Sequence, residues 1–106
     1  MKRGDIVLVR YPFTDLSSEK LRPAMILLPE NERGDFLLSF ITSSLTESSL
    51  FDISLLQGEG GLKRDSILRL QKIMTIHKSL LVGRIGSLPP HKVREAELKL
   101  KTMLEL

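Results

Sequence analysis

The chain has 106 residues, a length that allows one domain, residues 1–106, built around one hydrophobic core. It contains no cysteine, which excludes disulfide bonds and thiolate metal sites, and its 16 lysines and arginines outnumber its 13 aspartates and glutamates, a balance compatible with a polyanionic partner. No apolar segment approaches the roughly 20 residues of a membrane-spanning helix, and the N-terminus lacks the pattern of a signal peptide. We therefore expect a cytoplasmic protein with no membrane partner.

The first half of the chain alternates between apolar runs and polar connections. Residues 5–10 (DIVLVR) and 24–28 (AMILL) predict two strands, because short β-branched or continuous apolar runs are typical of strands. A long polar connection over residues 11–21 joins them, and connections of this length in compact domains are often functional. A polar turn follows, and residues 36–42 (FLLSFIT) predict a third strand.

The second half is predicted to contain four further strands, the first of them weak. A flexible, charged loop at residues 58–65 (GEGGLKRD) follows that weak strand, and a bend near Gln71 separates the next two strands. The four strands are residues 51–56, 66–70, 72–76 and 80–85.

The chain ends in a predicted helix. Pro89-Pro90 suits a helix start, and an apolar stripe follows at helical spacing, which predicts about four turns. Several short strands with one terminal helix indicate a mainly β fold, a small and strongly curved antiparallel sheet or barrel with the helix packed on it. The residues of the stripe are Val93, Ala96, Leu100, Met103 and Leu104.

Arg22-Pro23 is the first feature that could carry chemistry. Proline biases the preceding residue toward an extended conformation, so we expect Arg22 to leave the polar connection rigidly, at the mouth of a buried strand. A guanidinium offers a planar fork of donors that suits a phosphate. Isolated arginines are usually surface residues, however, and from its spacing alone the surface role is favoured.

Three hydroxyl-bearing residues, Thr42, Ser43 and Ser44, close the third predicted strand. Their hydroxyls could bind phosphate oxygens or orient a ribose. Serine and threonine are also common at strand ends and turns, where they cap backbone groups. Without further context the sequence favours the turn.

Two polar segments could contact a nucleic acid. In the long connection, Tyr11 and Phe13 accompany charged residues and could stack an unpaired base, although Phe13 equally suits the core. The loop at residues 58–65 is basic, but its glycines do not match the spacing of a P-loop. The candidate substrate-binding residues are Ser17, Ser18, Glu19, Lys20, Lys63 and Arg64.

The two histidines, His77 and His91, do not form a metal pair. They lack the spacing of four residues along a helix, and no neighbouring acidic residue completes a ligand set. A histidine–histidine acid–base pair is disfavoured because His91 lies at the predicted helix start, away from the loops. We therefore expect neither a metal nor a cofactor.

The order of several motifs resembles the MazF/PemK (Kid-like) toxin family, and in particular its PemK-like branch. These motifs are KRGDIVLV, YPFTD, KLRPAMIL and FITSS, followed by GLKRDSILRLQKIMTIHKSLLVGRIGSL. The resemblance extends from residue 2 to about residue 104. Several motifs in the right order are more specific than any single one.

The resemblance implies an SH3-like antiparallel β-barrel with a C-terminal helix, assembled as a homodimer. It further implies a toxin that cleaves single-stranded RNA at short sequences without a metal ion. A cognate antitoxin protein is expected to neutralise the toxin and to bind DNA together with it. The family's catalytic pair falls on Arg22 and Thr42, with Ser43 beside them. The family's loop before the Arg-Pro motif helps to bind the substrate and can close, and in this chain it falls on residues 15–21.

This chain departs from the family pattern at two places. The connection before Arg22 lacks the glycine that many members have, which bears on loop mobility and cleavage preference. Many members also carry Arg-Thr-Ile-Asp where this chain has Met74-Thr75-Ile76-His77. The missing arginine removes one phosphate or interface contact.

In the implied reaction the 2′-hydroxyl of RNA attacks the adjacent phosphorus and expels the 5′-oxygen, leaving a 2′,3′-cyclic phosphate and a 5′-hydroxyl. Arg22 suits a charge clamp or an acid better than a base, because guanidinium stays protonated up to about pH 12. Glu19 is a candidate base. Two alternatives remain at this point, a gyrase-binding toxin of the CcdB type that cuts nothing, and a catalytically degenerate homologue that only binds antitoxin.

Overall fold

The computed structural model describes residues 1–11, 20–45 and 48–106, with the side chain of Tyr11 outside the description. This part of the chain forms six strands, two single turns of 3-10 helix and one α-helix. The strands and the helix are β1 (Asp5–Tyr11), β2 (Lys20–Leu28), β3 (Asp35–Thr42), β4 (Asp52–Leu55), β5 (Ser66–His77), β6 (Leu81–Ser87) and α1 (Pro90–Met103). Within these residues no helix is long and apolar enough to cross a membrane.

The strands form one antiparallel sheet in the order β4-β5-β3-β2-β1-β6. The prediction of a mainly β fold with a C-terminal helix is confirmed. The barrel is not closed, because no pairing joins β4 to β6 in the described ranges. The outer edge of β4 is instead contacted by two lysine side chains of the helix. The ammonium groups of Lys92 and Lys99 donate to the carbonyls of Ser54 and Asp52, at 2.8 and 2.9 Å.

Strand β2 begins at Lys20, four residues before the start predicted at residue 24. Arg22 therefore lies inside a strand and not at its mouth. The sheet tolerates Pro23 because this residue pairs only with Leu8 of β1, whereas the pairing of β2 with β3 starts one residue later, at Ala24. Beside Pro23 the strand is an edge, where a missing backbone N–H costs little.

Other features also differ from the sequence prediction. The two strands expected on either side of Gln71 are a single strand, β5, because the irregularity there is a bulge and not a break. The loop at residues 58–65 contains a turn of 3-10 helix, Glu59–Gly61. Leu104 follows the end of α1 and is 54% exposed, so the apolar stripe ends at Met103.

The sheet buries apolar side chains on both of its faces. Ile6 and Val7 are adjacent in β1, point to opposite faces and are both fully buried, each in a different core cluster. The cluster that contains Ile6 lies beneath α1, where Ala96 is buried and Val93 packs beside it. The helical spacing seen in the sequence thus marks the face that covers this cluster.

Gly86 of β6 is held by a close backbone contact. A Cβ atom at Gly86 would lie 2.4 Å from the carbonyl carbon and oxygen of Gly60, far inside van der Waals contact. Glycine is therefore required for β6 to pack against the 3-10 turn. Gly83 in the same strand has no atom within 4 Å of the position of its Cβ.

We expect Gly86→Ala to destabilise the protein by about 1–3 kcal/mol, because the backbone must move to admit the methyl group. Urea unfolding of the variant and the wild type measures the difference. Gly83→Ala is the matched control, and it should be neutral or slightly stabilising because the methyl group meets open space. Equal unfolding midpoints for the two variants would contradict the contact.

Asp5 ties the start of β1 to the end of β6 and is 4% exposed. Its carboxylate accepts hydrogen bonds from the Ser87 hydroxyl at 2.6 Å and from the Lys2 backbone N–H at 2.9 Å, and it lies 4.0 Å from a guanidinium nitrogen of Arg84. Burial by itself would raise the pKa of Asp5, but these hydrogen bonds and the positive charge outweigh burial and lower the pKa below its ordinary value.

The lowered pKa of Asp5 makes stability depend on pH. The contribution of the carboxylate is fully present above its ordinary pKa of about 4, and it is lost as the pH falls through the lower pKa of the folded state. Asp5→Asn should therefore reduce the free energy of unfolding at neutral pH, and the difference from wild type should shrink below about pH 4. Urea unfolding across this pH range measures both, with exposed Glu32→Gln as the control. A difference that does not change with pH would contradict the assignment.

Candidate active site

Arg22 and Thr42 lie on neighbouring strands at the point where their pairing stops. The hydrogen-bonded register of β2 with β3 includes Ala24 opposite Phe40 and does not continue toward Arg22. Thr42, two residues beyond Phe40, remains paired with Ile67 of β5. The two residues predicted as a catalytic pair therefore flank an opening between β2 and β3.

This opening is a cleft of about 390 Å³, which we call the cationic cleft. Arg22, Arg69 and Lys72 line it together with the Thr42 side chain. No acidic residue of the described part of the chain lines it. Three cations around one concave surface create a positive potential that favours a polyanion.

The cationic cleft also has an apolar wall, which is lined by Phe40, Ile73 and Met74. Phe40 is half-buried and packs against the core cluster on one face of the sheet. An aromatic ring beside cations is an arrangement that proteins use to stack an unpaired base next to its phosphates. The cleft thus offers cations that suit phosphates and an apolar wall that suits an unpaired base.

A second cleft, of about 330 Å³, lies on the other side of Arg22. Arg22 lines both clefts, and the second is also lined by Lys20, Pro23, Ser43 and Ser66. Ser43, predicted as the third catalytic residue, therefore faces a different opening from Thr42. Among the residues that the structure describes, Arg22 and the buried Ile41 line both clefts, and Arg22 is the one of the two with a charged side chain.

The Thr42 hydroxyl has a defined orientation. Its oxygen accepts a hydrogen bond from the backbone N–H of Ser44 at 3.1 Å. A hydroxyl has one proton to donate in addition to its acceptor positions. With an acceptor position occupied by Ser44, the proton of Thr42 can be donated to an anionic oxygen in the cationic cleft.

Only part of the predicted substrate-binding set can be located. Lys20 lines the second cleft, whereas exposed Lys63 and Arg64 line neither. The carbonyl of Arg64 accepts a hydrogen bond from the buried Ser66 hydroxyl at 2.9 Å, which attaches that loop to the start of β5. Ser17, Ser18 and Glu19 lie outside the described residues.

The sequence prediction missed Arg69, Lys72 and Phe40. A signal for Arg69 was present, because it alternates with buried Leu68 and Leu70 and so points away from the core beneath the helix. No periodicity marks Lys72, since its position depends on the bulge in β5.

The histidines do not approach the clefts. The ring nitrogen Nδ1 of His77 accepts a hydrogen bond from the Ser79 backbone N–H at 3.2 Å and lies 2.9 Å from the Ser79 hydroxyl, so His77 caps a turn. His91 is the second residue of α1. Across residues 1–11, 20–45 and 48–106, no group of three or more histidine and acidic side chains could hold a metal ion.

Comparison with known proteins shows the family. Residues 2–104 match the profile of the family described as the PemK-like, MazF-like toxin of type II toxin-antitoxin systems. The chain belongs to this family, and the resemblance drawn from its motifs is confirmed. No individual curated protein matches the chain.

Solved structures of toxins share the fold at low identity. A MazE-MazF crystal structure from Deinococcus radiodurans aligns with a TM-score of 0.81 at 18% identity, covering 100% of this chain and 96% of that one. The Mycobacterium tuberculosis toxin MazF-mt6 aligns with a TM-score of 0.78 at 18% identity, covering 96% and 97%. An endoribonuclease in complex with its cognate antitoxin, from a mycobacterial species, aligns with a TM-score of 0.74 at 19% identity. The alignment covers 100% of this chain and 96% of that one.

Proposed function

We propose that this toxin is a metal-independent, sequence-specific endoribonuclease that cleaves single-stranded RNA such as mRNA. The observation that carries the proposal is the convergence of Arg22 and Thr42 on one cationic cleft with an aromatic wall. Family membership adds support, because similar folds are found in proteins described as endoribonucleases.

The proposed reaction uses the RNA's own nucleophile. The 2′-oxygen forms a bond to the adjacent phosphorus, its proton passes to a base, and the bond from phosphorus to the 5′-oxygen breaks as that oxygen gains a proton. The products are a 2′,3′-cyclic phosphate and a 5′-hydroxyl. The protein must hold the reacting groups in line and stabilise the negative charge that accumulates on phosphorus oxygens.

Arg22 supplies that charge stabilisation. It stands between the two clefts, so an RNA strand that runs from one to the other passes its guanidinium group. Since guanidinium stays protonated, Arg22 serves as a clamp on the phosphate or as the acid toward the leaving oxygen. Thr42 donates its hydroxyl proton to a phosphate oxygen, and Ser43 contacts the strand from the second cleft.

The described residues lining the clefts include no carboxylate and no histidine. The base that accepts the 2′-hydroxyl proton must therefore come from elsewhere. Glu19 remains our candidate, as the residue directly before the Lys20 that lines the second cleft, although its own side chain lies outside the described residues.

Arg22→Ala should reduce the rate of RNA cleavage by about 100- to 1000-fold, which is the typical loss when one donor to a developing anion is removed. Gel analysis of a long single-stranded RNA incubated with purified protein measures the rate. Arg33→Ala is the matched control, because Arg33 is exposed in a turn and lines neither cleft.

Arg22→Ala protein that cleaves RNA at nearly the wild-type rate would contradict the assignment. Wild-type protein that cleaves nothing, while still arresting growth, would support a gyrase-binding toxin in its place. Urea unfolding of both variants checks that any loss of activity does not come from loss of the fold.

Cleavage should be unaffected by EDTA, because guanidinium and hydroxyl groups supply the stabilisation that a metal ion would otherwise give. The cut RNA should carry a 2′,3′-cyclic phosphate, which mass spectrometry of the fragments detects. Inhibition by EDTA that added Mg²⁺ reverses, or 3′-hydroxyl ends, would show metal-dependent hydrolysis and refute the proposed chemistry.

We also propose that the protein is a cytoplasmic homodimer that a cognate antitoxin inhibits. Support comes from solved structures of related folds that contain an antitoxin, the MazE-MazF structures from Deinococcus radiodurans and the mycobacterial complex. An antitoxin of acidic or partly disordered sequence would complement the cationic cleft and cover Arg22.

A further inference from the structure

Strand β5 contains a large bulge opposite Phe40. Ser39 of β3 pairs with Ile73, and Ile41 pairs with Leu68. One residue of β3 therefore faces the four residues 69–72 of β5, which we call the β5 bulge. Bulges of this kind are frequent beside functional sites, where they change the direction of a side chain.

The β5 bulge is anchored in the core. Leu70 is fully buried, and its carbonyl accepts a hydrogen bond from the Ser39 hydroxyl at 3.3 Å. Ser39 is itself fully buried. On the other side, the Leu70 backbone N–H donates to the Phe51 carbonyl at 3.3 Å. Both backbone groups of Leu70 thus have partners, one on each side of β5.

The bulge accounts for the composition of the cationic cleft. Arg69 and Lys72 are three residues apart, and in a regular strand they would point to opposite faces of the sheet. Both nevertheless line the cationic cleft. The extra residues of the bulge bring a second cation to the side on which Arg22 lies.

We infer that Arg69 and Lys72 form a second phosphate-binding subsite, which holds the RNA strand one step away from the phosphate at Arg22. Strand β3 lies between β2 and β5, which are about 10 Å apart where both are paired with it, and the cleft opens at Arg22, where the pairing of β2 with β3 has ended. The long side chain of Arg22 on one side and those of Arg69 and Lys72 on the other line the same cleft, so two phosphates of one strand can be bound across it. Phe40 lies on β3 between them, where the base of the intervening nucleotide stacks on its ring.

The inference rests on the proposed function, since it assigns more of the same substrate to the same cleft. It makes the β5 bulge a determinant of affinity for the strand and leaves the chemical step to Arg22 and Thr42. Neutralising the subsite should therefore raise KM for RNA and change kcat little.

Counterion release gives a test that does not depend on cleavage. The probe is a mixed-sequence single-stranded RNA oligonucleotide with 2′-O-methyl groups, which cannot be cleaved because its nucleophile is blocked. When the logarithm of the association constant is plotted against the logarithm of the salt concentration, each lost phosphate contact should reduce the steepness of the slope by about 0.7. We expect this change for Arg69→Gln and for Lys72→Gln, and about twice the change for the double variant.

The control is the double variant Arg94→Gln/Lys101→Gln, which loses two positive charges, as the double variant of Arg69 and Lys72 does. Both residues are exposed on α1, and no residue of that helix lines either cleft. Its salt dependence should equal that of the wild type. Urea unfolding of the Arg69 and Lys72 variants shows that their fold is retained.

The outcomes separate this inference from the proposed function. Wild-type protein that cleaves RNA, with Arg69 and Lys72 variants that keep the wild-type salt dependence and KM, would overturn the subsite alone. An equal change in the α1 variant, or wild-type protein that does not bind the oligonucleotide at low salt, would also overturn it. Altered salt dependence in a protein that binds but never cleaves would support the subsite and refute the nuclease.

Discussion

The site depends on the early end of one strand pairing. The ladder between β2 and β3 reaches Ala24 and Phe40, and Pro23, which has no backbone N–H to contribute, is the first residue beyond it. Beyond this point β2 and β3 are no longer paired with each other. Arg22 of β2 remains paired with β1, and Thr42 of β3 remains paired with β5. The cleft is therefore walled by strands that remain paired, and its principal side chains lie on well-supported backbone.

The three cations of the cationic cleft suit an anionic ligand. Arg22, Arg69 and Lys72 together give this concave surface a positive potential. A phosphate backbone that binds there pairs with these charges and releases counterions. An acidic protein segment in the same place would do likewise, so one electrostatic design suits both a substrate and an inhibitor.

The local sequence pattern and the family resemblance were sufficient to predict most of the strands, the helix and the two principal residues of the cleft. Alternation and helical spacing indicated the strands and the face of α1 that covers the core, and the motif order pointed to Arg22 and Thr42. The β5 bulge could not be foreseen, because it depends on the register between Ser39 and Ile73 and on a hydrogen bond to Leu70 that spans 31 residues. The sequence prediction placed a bend near Gln71, which lies in the β5 bulge, but it could not show that the strand continues through the bulge.

The lysines of α1 that bind β4 carbonyls have a consequence for biosynthesis. Strand β4 is an edge strand, and edges with unoccupied backbone groups recruit strands from other chains. Lys92 and Lys99 follow their acceptors Ser54 and Asp52 by 38 and 47 residues, so they are synthesised after every strand of the sheet. A chain released before α1 is made would contain all six strands and leave the β4 edge open, which would favour association with strands of other chains.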